Sequence, residues 1–398
     1  MASLLTLEEA QEQVLGRTRP LPAEPVPLTE AAGRVAAEDV QARVDLPPFA
    51  SSAMDGFAVR AADLPGTLRL VGESAAGRPY EALLEPGCAT SISTGAVVPD
   101  GADAVVPVEL VSRTDNKVEI ADGVQPGAHV RPRAGDVAAG DLVVSAGERL
   151  TPARIAAAAA SGIATLPCLR RPRVAVLATG SELVAPGEPL GPGQIYEANA
   201  VMLAGALAVA GAEVVAEPTV ADDEAALRRA LERGLAADVL VTSGGVSVGE
   251  HDLVRSVERE LGVEEVFWRV AVKPGKPVSF GTRGDTLVFG LPGNPVSALV
   301  GCALFVEPAV LALQGAADPL PRFEPARLAV GLRRNADRDE FVRARSRLEG
   351  GDLVLEPVVG QESHMIARSA AADGLVHVPR GNGELAAGST VRWLRLGG

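Results

Sequence analysis

The sequence predicts a multidomain protein of the α/β class, and three observations support this. The chain has 398 residues, which exceeds the usual size of a single domain. Residues 171–318 alternate buried apolar strands with helices, a pattern typical of a mainly parallel sheet with helices on both faces. Residues 46–144 and 319–398 contain short β-like runs separated by glycine and proline. We therefore expect one three-layer α/β domain and two β-rich domains.

The remaining segments, residues 1–45 and 145–170, are predicted to form helices and connections. Thr6 and Glu9 have the spacing of a capping box, which begins a short helix. A second amphipathic helix is expected around residues 28–37. These segments complete four zones of different composition along the chain.

The composition excludes several classes of function. The net charge is −14, whereas nucleic-acid and membrane-surface binders need a basic face. Aromatic residues make up 3% of the chain, which disfavours stacking on single-stranded nucleic acid. Residues 319–398 carry a net charge of +2 and the first 318 residues carry −16, which supports a separate C-terminal domain. Small anions are not excluded as ligands.

The cysteines and the N-terminus indicate a location in the cytoplasm. Cys88, Cys168 and Cys302 are odd in number and lack metal-ligand spacing. The first residues lack the basic start and long apolar run of a signal peptide. The apolar stretch 201–212 is too short to cross a bilayer. We expect a soluble, cytoplasmic protein.

A glycine-rich segment follows the strand predicted at residues 238–242. Glycine there permits close backbone approach, so that amide N–H groups can face an anion, and serine hydroxyls add donors. A plain strand-to-helix turn is the alternative interpretation. The candidate anion-binding residues of this segment are Ser243, Gly244, Gly245, Ser247 and Gly249.

A proline-flanked loop follows the strand predicted at residues 286–290. Pro292 and Pro295 fix the backbone around Gly293 and Asn294, and the second proline can begin the next helix. The loop therefore leads into a helix N-terminus, which carries partial positive charge. A stiff connector without a ligand is the alternative.

A pair of lysines marks the segment KPGKP. The chain has three lysines among its 37 basic residues, and Lys273 and Lys276 are two of them. Where arginine supplies nearly every cation, a lysine pair suggests that compact ammonium groups are required. The flanking prolines would hold both groups in place. Solvated surface lysines are the alternative.

Three carboxylates lie near the predicted strand ends. Glu182, Asp222 and Asp252 are expected on the side of the sheet where ligands bind. Carboxylates that face phosphates commonly share Mg²⁺ with them. Asp222, next to Asp223, could equally be a helix cap without further function.

Arginines alternate along a strand of the C-terminal zone. Arg343, Arg345 and Arg347 are predicted to lie on one face of that strand. Such a face is either an oxyanion site or a solvated surface. The four histidines show no metal-ligand spacing, and we interpret them as structural or surface residues.

Taken together, the motifs resemble the molybdopterin molybdenumtransferase family, which includes bacterial MoeA and the E domain of gephyrin. The match covers essentially the whole chain and keeps the order of the motifs. The motifs are SSAMDGFAVR (51–60), ISTGAVVPDGADAVV (92–106), VRPRAGDVAAGDLVV (130–144), ATGSEL (178–183), GQIYEAN (193–199), TSGGVSVGEHD (242–252), KPGKP (273–277), LPGNP (291–295) and GQESH (360–364).

The resemblance implies an elongated homodimer with four domains in each subunit. Residues 1–45 and 145–170 would form a discontinuous N-terminal and linker domain, with residues 46–144 inserted as a β domain. Residues 171–318 would form an α/β domain like that of the molybdopterin-adenylylating (MogA-like) proteins. Residues 319–398 would form a C-terminal β-barrel.

The resemblance also implies roles for particular residues. Acidic and hydroxyl residues would be catalytic, with three of the carboxylates as metal ligands, and the glycine and proline loops would bind substrate. This chain has Ser181 where many relatives have aspartate, which puts a metal role at that first position in doubt. The implied catalytic residues are Asp55, Thr94, Asp136, Glu182, Asp222 and Asp252. The residues implied to hold molybdate or substrate phosphates are Lys273, Lys276, Arg343 and Ser363.

The implied reaction inserts molybdate into adenylylated molybdopterin and releases AMP, with Mg²⁺. The partners implied are these substrates, a second copy of the chain, the molybdopterin adenylyltransferase and molybdoenzyme-maturation proteins. Two alternatives remain, namely the adenylyltransferase step itself and a gephyrin-like scaffold without catalysis. The inserted β domain and the C-terminal barrel argue against the first, and the absence of a long disordered linker argues against the second.

Overall fold

The computed structural model describes residues 4–217, 219–221, 223–245 and 253–396. Within them the chain forms a six-stranded α/β domain, an inserted β domain, a C-terminal barrel and a connecting part. The predicted fold class is confirmed.

The first 170 residues form the connecting part and the inserted β domain. Their elements are α1 (Leu7–Leu15), β1 (Ala23–Pro27), β2 (Val40–Gln41), β3 (Ser51–Ser52), β4 (Gly56–Val59), β5 (Gly66–Ser74), β6 (Cys88–Ile92), β7 (Ala104–Pro107), β8 (Val111–Thr114), β9 (Lys117–Ile120), β10 (Val130–Arg131), β11 (Leu142–Val144), α2 (Pro152–Ala160) and β12 (Thr165–Leu169). β1 pairs with β12 and β2 with β11, so both ends of the inserted segment enter the same connecting part. The inserted sheet has the order β7-β4-β6-β5-β9-β8.

The helix predicted around residues 28–37 was wrong. The structure has a short 3₁₀ turn at Leu28–Glu30, and the chain then extends along a distant segment. Gly33 N donates to Leu150 O at 2.9 Å, and Ala36 N donates to Glu148 O at 3.0 Å. These long-range bonds satisfy the backbone groups that a helix would have paired locally.

The α/β domain supplies the sheet on which the site is built. Its elements are β13 (Arg173–Ala178), β14 (Leu183–Val184), β15 (Ile195–Tyr196), α3 (Asn199–Val209), β16 (Glu213–Ala216), α4 (Glu224–Gly234), β17 (Val239–Ser243), α5 (Leu253–Glu260), β18 (Glu264–Trp268), β19 (Val272–Lys273), β20 (Ser279–Arg283), β21 (Thr286–Leu291) and α6 (Pro295–Leu313). The sheet order is β16-β13-β17-β21-β20-β18. The first four strands are parallel, while β20 runs antiparallel to both of its neighbours, β21 and β18. The carboxyl ends of β13, β17 and β21 therefore meet at one edge.

Helices cover both faces of this sheet. α3 and α6 share one hydrophobic cluster with the sheet, and α4 and α5 share a second. Leu7, Ala10 and Val14 of α1 belong to the first cluster and are at most 3% exposed. α1 therefore packs on the α/β domain, although the sequence analysis grouped it with the linker.

The long helix α6 is apolar because it lies in the core. Among the described residues it is the one helix with the length and apolarity of a membrane span, yet 78% of its most apolar stretch is buried inside the protein. The segment Cys302–Val306 has π-helical hydrogen bonding. Gln11 Nε2 of α1 donates to Leu304 O at 2.9 Å, and this bond joins α1 to the irregular turn.

Glu307, at the end of this turn, is predicted to make stability depend on pH. Burial raises the pKa of its carboxyl group to about 7, while the Cys302 thiol lies 3.9 Å from Oε1. Because the folded state retains the proton and the unfolded state loses it near pH 4.5, stability falls as the pH rises from about 4.5 to about 7. At pH 8, Glu307→Gln should therefore unfold at a higher temperature than the parent. Its free energy of unfolding should exceed that of the parent by about 2–4 kcal/mol.

The difference between the variant and the parent should shrink at pH 4.5. Exposed Glu109 supplies the control, because Glu109→Gln should leave the pH dependence unchanged. An equal difference for Glu307→Gln at both pH values would contradict the burial of a neutral carboxyl. The measurement is thermal unfolding followed by circular dichroism.

The C-terminal region closes into a five-stranded barrel. Its elements are β22 (Phe323–Leu328), β23 (Leu332–Arg333), β24 (Asp339–Glu349), β25 (Asp352–Pro357), α7 (Ile366–Ser369), β26 (Gly374–Val378), β27 (Glu384–Leu385) and β28 (Thr390–Arg395). The barrel order is β24-β25-β22-β28-β26, closed by pairing of β24 with β26. β19 of the α/β domain adds in parallel to the start of β24, which joins the two domains.

Candidate functional site

A cleft of about 740 Å³ opens where β13, β17 and β21 end. Its walls include Gly180 after β13, Gly244 and Gly245 after β17, and the loop 292–295 after β21. Parallel strands bring these ends together, and such edges are where open α/β sheets bind ligands. The structure thus brings together the glycine-rich and proline-flanked segments identified from the sequence.

Asn199 ties two walls of the cleft together. Its Nδ2 donates to Ser243 Oγ at 2.9 Å and to Gly293 O at 2.8 Å. Asn199 is 9% exposed and Ser243 is 2% exposed, so the hydrogen bond between them is shielded from water, while the bond to Gly293 O is partly buried. Asn199 was not among the site residues predicted from sequence, although it ends the motif GQIYEAN.

Gly244 and Gly245 are required by the backbone itself. Their φ angles are +96° and +69°, in the region that side chains rarely adopt. A Cβ on Gly244 would collide with Thr179 O, and one on Gly245 would collide with Val254. Gly244 N donates to Leu291 O at 3.2 Å, whereas Gly245 is exposed, so the backbone of Gly245 is open to a ligand.

Among the described residues, two carboxylates line the cleft. Glu182 is exposed there, while Glu197 is 5% exposed and accepts a hydrogen bond from Ala200 N at 2.7 Å through Oε1. Glu197 lies in the same GQIYEAN motif, and the sequence analysis did not identify it. Carboxylate oxygens are the hard donors that Mg²⁺ prefers.

Several predicted residues lie outside the described part of the chain. These are Asp222, Ser247, Gly249 and Asp252. Asp223, which follows Asp222, caps α4 by accepting a hydrogen bond from Ala226 N at 2.7 Å. Within the described residues, no group of three or more histidine, cysteine or acidic side chains is arranged to hold a metal.

A second, smaller cavity of about 320 Å³ adjoins the cleft. Pro277, Pro292 and Asn294 line both, so the two share a wall. Lys273 and Lys276 line the small cavity. Lys273 Nζ lies 3.0 Å from Glu340 Oε1, whereas Lys276 has no carboxylate within 4.0 Å in the described part of the chain.

Arg338 is a third cation of the small cavity, and it was not among the site residues predicted from sequence. The backbone amide of Arg338 donates to Asn335 Oδ1 at 3.0 Å, which fixes the turn before β24. Among the described residues, no carboxylate lies within 4.0 Å of its guanidinium group. Only the pairing of β24 with β19 brings this turn to the lysines, so no local pattern could have indicated it.

Ser363 enters the small cavity from the barrel. Asn294 Nδ2 donates to Ser363 Oγ at 2.9 Å, and Val296 N donates to Ser363 O at 3.0 Å. The neighbouring His364, which the sequence analysis took for a structural or surface residue, lines the large cleft. Two consecutive residues therefore face the two cavities.

Arg343 does not fit the predicted role of anion ligand. Its side chain is completely buried, whereas Arg345 and Arg347 on the same strand are exposed. Its Nη1 and Nη2 donate to backbone carbonyls of the segment 360–365. Alternation correctly placed the arginines on one face, but barrel closure covers only the first of them.

Asp55, Thr94 and Asp136 lie on the inserted domain. Thr94 N donates to Asp55 Oδ1 at 2.7 Å, so these two exposed residues are close together. Asp136 is also exposed, and its amide donates to Leu46 O. None of the three is among the described residues that line the two cavities.

The fold and the paired cavities define a multidomain α/β ligand-binding protein with a small cationic pocket. Three family models match in order: the MoeA N-terminal region (domain I and II) at residues 5–162, the probable molybdopterin binding domain at 175–312, and the MoeA C-terminal region (domain IV) at 325–396. These matches cover all four parts of the fold.

Relatives and solved structures agree along the whole chain. Molybdopterin molybdenumtransferase 2 of Mycobacterium tuberculosis is 40% identical over 92% of this chain and 93% of its own length. Molybdopterin molybdenumtransferase of Haemophilus influenzae is 36% identical over 98% of both chains. The crystal structure of the molybdopterin biosynthesis MoeA protein from Pyrococcus horikosii superposes with a TM-score of 0.84, at 35% identity, over 100% of both chains. The chain belongs to the molybdopterin molybdenumtransferase family, whose reaction is part of molybdenum cofactor biosynthesis.

Proposed function

We propose that this protein inserts molybdate into adenylylated molybdopterin and releases AMP, with Mg²⁺ as the required cation. The observation that carries the proposal is the pair of cavities with a shared wall. The large cleft has the size for an organic substrate, and the small cavity offers three cations for a compact oxyanion. Both substrates can therefore occupy neighbouring sites.

The organic substrate is expected to bind along the strand ends. Gly244, Gly245 and Pro295 line the cleft, and the partial positive charge at the N-terminus of α6, which begins at Pro295, favours phosphate groups. Ser243, Gly293 and Asn294 keep these loops in place, since Asn199 and Ser363 hold them by hydrogen bonds. The phosphoanhydride would thus lie near the wall shared with the small cavity.

Molybdate is expected to bind in the small cavity. Lys276 and Arg338 are the cations without a carboxylate partner among the described residues, while Lys273 is partly neutralised by Glu340. Ser363 adds a hydroxyl group that already accepts a hydrogen bond from Asn294 and can donate its own proton to an oxyanion. Binding there would bring the anion close to the dithiolene of the neighbouring substrate.

The Mg²⁺ requirement rests on the chemistry of the carboxylates. Glu182 supplies exposed hard oxygen donors in the cleft, which fits this ion. We propose Asp222 and Asp252 as its further ligands. When bound, Mg²⁺ neutralises charge on the phosphoanhydride as AMP leaves.

The decisive experiment follows AMP release by the purified protein. With adenylylated molybdopterin, molybdate and Mg²⁺ present, AMP should form, and omission of molybdate or chelation of Mg²⁺ should abolish turnover. Adenylylation of molybdopterin from ATP by this chain alone would instead support an adenylyltransferase. Capture of protein partners without any turnover would support a scaffold.

We also propose a homodimer in which one copy completes the cleft of the other. Asp55, Thr94 and Asp136 line neither described cavity of their own chain, so a catalytic role for them requires a second copy. Contacts with the adenylyltransferase and maturation proteins, and the location in the cytoplasm, stay predictions.

Co-expression of Asp55→Asn and Glu182→Gln copies tests the shared site. Random pairing should restore about 25% of parental activity, because each mixed dimer then has one intact site. Each variant alone should be nearly inactive. No restoration in isolated mixed dimers would show that each chain carries its own complete site.

A further inference from the structure

Arg343 is the most completely buried cation of the described chain that the proposed reaction leaves without a role. Its Nη1 donates to Met365 O at 2.6 Å and to Ser369 Oγ at 3.0 Å. Its Nη2 donates to Gly360 O at 2.7 Å and to Glu362 O at 3.3 Å. The two amino groups of the guanidinium thus bind one segment, residues 360–369, at four points.

The strand that carries Arg343 is locked to the same segment. Arg343 N donates to Gln361 Oε1 at 3.0 Å, and Gln361 Nε2 donates back to Arg343 O at 2.9 Å. Gln361 Nε2 also donates to Val358 O at 2.6 Å. The backbone of Arg343 therefore holds Gln361, near the start of the segment, while its side chain holds residues from Gly360 to Ser369.

The segment presents its two central side chains to different cavities. Ser363 faces the small cavity that contains Lys273 and Lys276, and His364 faces the large cleft. Asn294 and Val296 donate to Ser363, and the segment has turns of its own, such as Met365 N to Glu362 O at 3.0 Å. Arg343 and its strand supply further bonds from the barrel side. The geometry of the segment at the cavities therefore depends on a group buried beneath it.

Direct contact between Arg343 and an anion conflicts with this arrangement. The side chain has no exposed surface, and both of its amino groups already bind carbonyl oxygens. An anion could approach only after the segment that bears Ser363 had moved away. The geometry therefore separates the buried guanidinium from the cations of the small cavity.

We infer that Arg343 is a positioning residue that holds Ser363 in the oxyanion cavity and His364 in the substrate cleft. His364 is thereby assigned as a side chain that contacts the organic substrate. The kinetic part of this inference rests on the proposed function, whereas the structural part does not. The two parts are therefore tested by separate measurements.

Amide hydrogen exchange tests the structural part without any substrate. In Arg343→Met, exchange across residues 360–369 should rise by about tenfold or more, because four hydrogen bonds to this segment are lost. Arg345→Met is the matched control, since its exposed side chain makes one hydrogen bond, to Ala371 O. Unchanged exchange in a folded Arg343→Met protein would overturn the inference.

Additivity of the kinetic effects tests the part of the inference that rests on the proposed function. Arg343→Met should raise KM for molybdate and lower kcat. Neither change should be larger than in the double variant Ser363→Ala, His364→Ala. The triple variant should then match the double variant, because the arginine acts only through those residues. A further loss of tenfold or more in the triple variant would show direct action and overturn the inference. Arg343→Lys should partly restore protection from exchange and activity together.

A milder variant covers the case in which Arg343→Met does not fold. Gln361→Met removes the reciprocal bonds but leaves the guanidinium in place. It should raise exchange at residues 360–365 and KM for molybdate in the same direction. If the parent protein releases no AMP, the proposed function fails, while the exchange result still decides the positioning role.

Discussion

Lys276→Ala is expected to lower kcat/KM for molybdate by about 10²–10³-fold while leaving the fold intact. Lys276 lines the small cavity, and the described residues place no carboxylate within 4.0 Å of its ammonium group. Its charge is therefore available to an anion. Removing a charged donor from an anion site costs about 2.7–4 kcal/mol, which corresponds to that range of rates.

Lys117→Ala is the matched control for this prediction. Lys117 is the third lysine of the chain and lies exposed on β9 of the inserted domain. Its loss changes the net charge equally but should leave kinetics unchanged. Lys273→Ala should have a smaller effect than Lys276→Ala, because Glu340 already offsets the charge of Lys273. Equal activity of the Lys276→Ala protein and the parent would exclude this cavity as the molybdate site.

Asn199→Asp replaces one side-chain amide by a carboxylate and is expected to impair both the structure of the cleft and turnover of the substrate in it. The amide Nδ2 donates to Ser243 Oγ and Gly293 O, and a carboxylate oxygen in its place would face the carbonyl oxygen of Gly293. We expect a loss of about 1–3 kcal/mol in stability and about tenfold to hundredfold in kcat/KM for the adenylylated substrate. The added negative charge also repels phosphate.

Turnover and thermal unfolding of the same preparations check this prediction. Asn116→Asp supplies a control, because Asn116 is exposed in the turn between β8 and β9, where aspartate is equally suited. Asn199→Ala should have an intermediate effect, since it removes the donor without adding a charge. Parental kinetics in Asn199→Asp would show that the loops of the cleft hold their position without this residue.

The strand-end part of the site could be predicted from the sequence. The strands β13, β17 and β21 are continuous apolar runs, and parallel strands must deliver their following loops to one edge. Ser243 and Pro292 accordingly lie on the same cleft. Hydrophobic pattern and turn chemistry, both of which are local, are sufficient to predict this part of the site.

The contribution of the barrel could not be predicted in this way. Arg338 reaches the lysines because β19 pairs with β24, a contact between separate domains that has no local sequence signal. The burial of Arg343 likewise depends on closure of the barrel and on the segment that folds over it. The helix prediction around residues 28–37 failed for the same reason. The chain after Leu28–Glu30 is extended, and its backbone partners lie far along the sequence.

The docking of α1 on α6 has a consequence for biosynthesis of the polypeptide. Gln11 and Leu304 are 293 positions apart, so α1 leaves the ribosome long before its binding surface exists. At translation rates of 5–20 residues per second, the delay is roughly 15–60 s. During that interval the apolar stripe of α1 lacks its native cover and is open to chaperones that bind nascent chains.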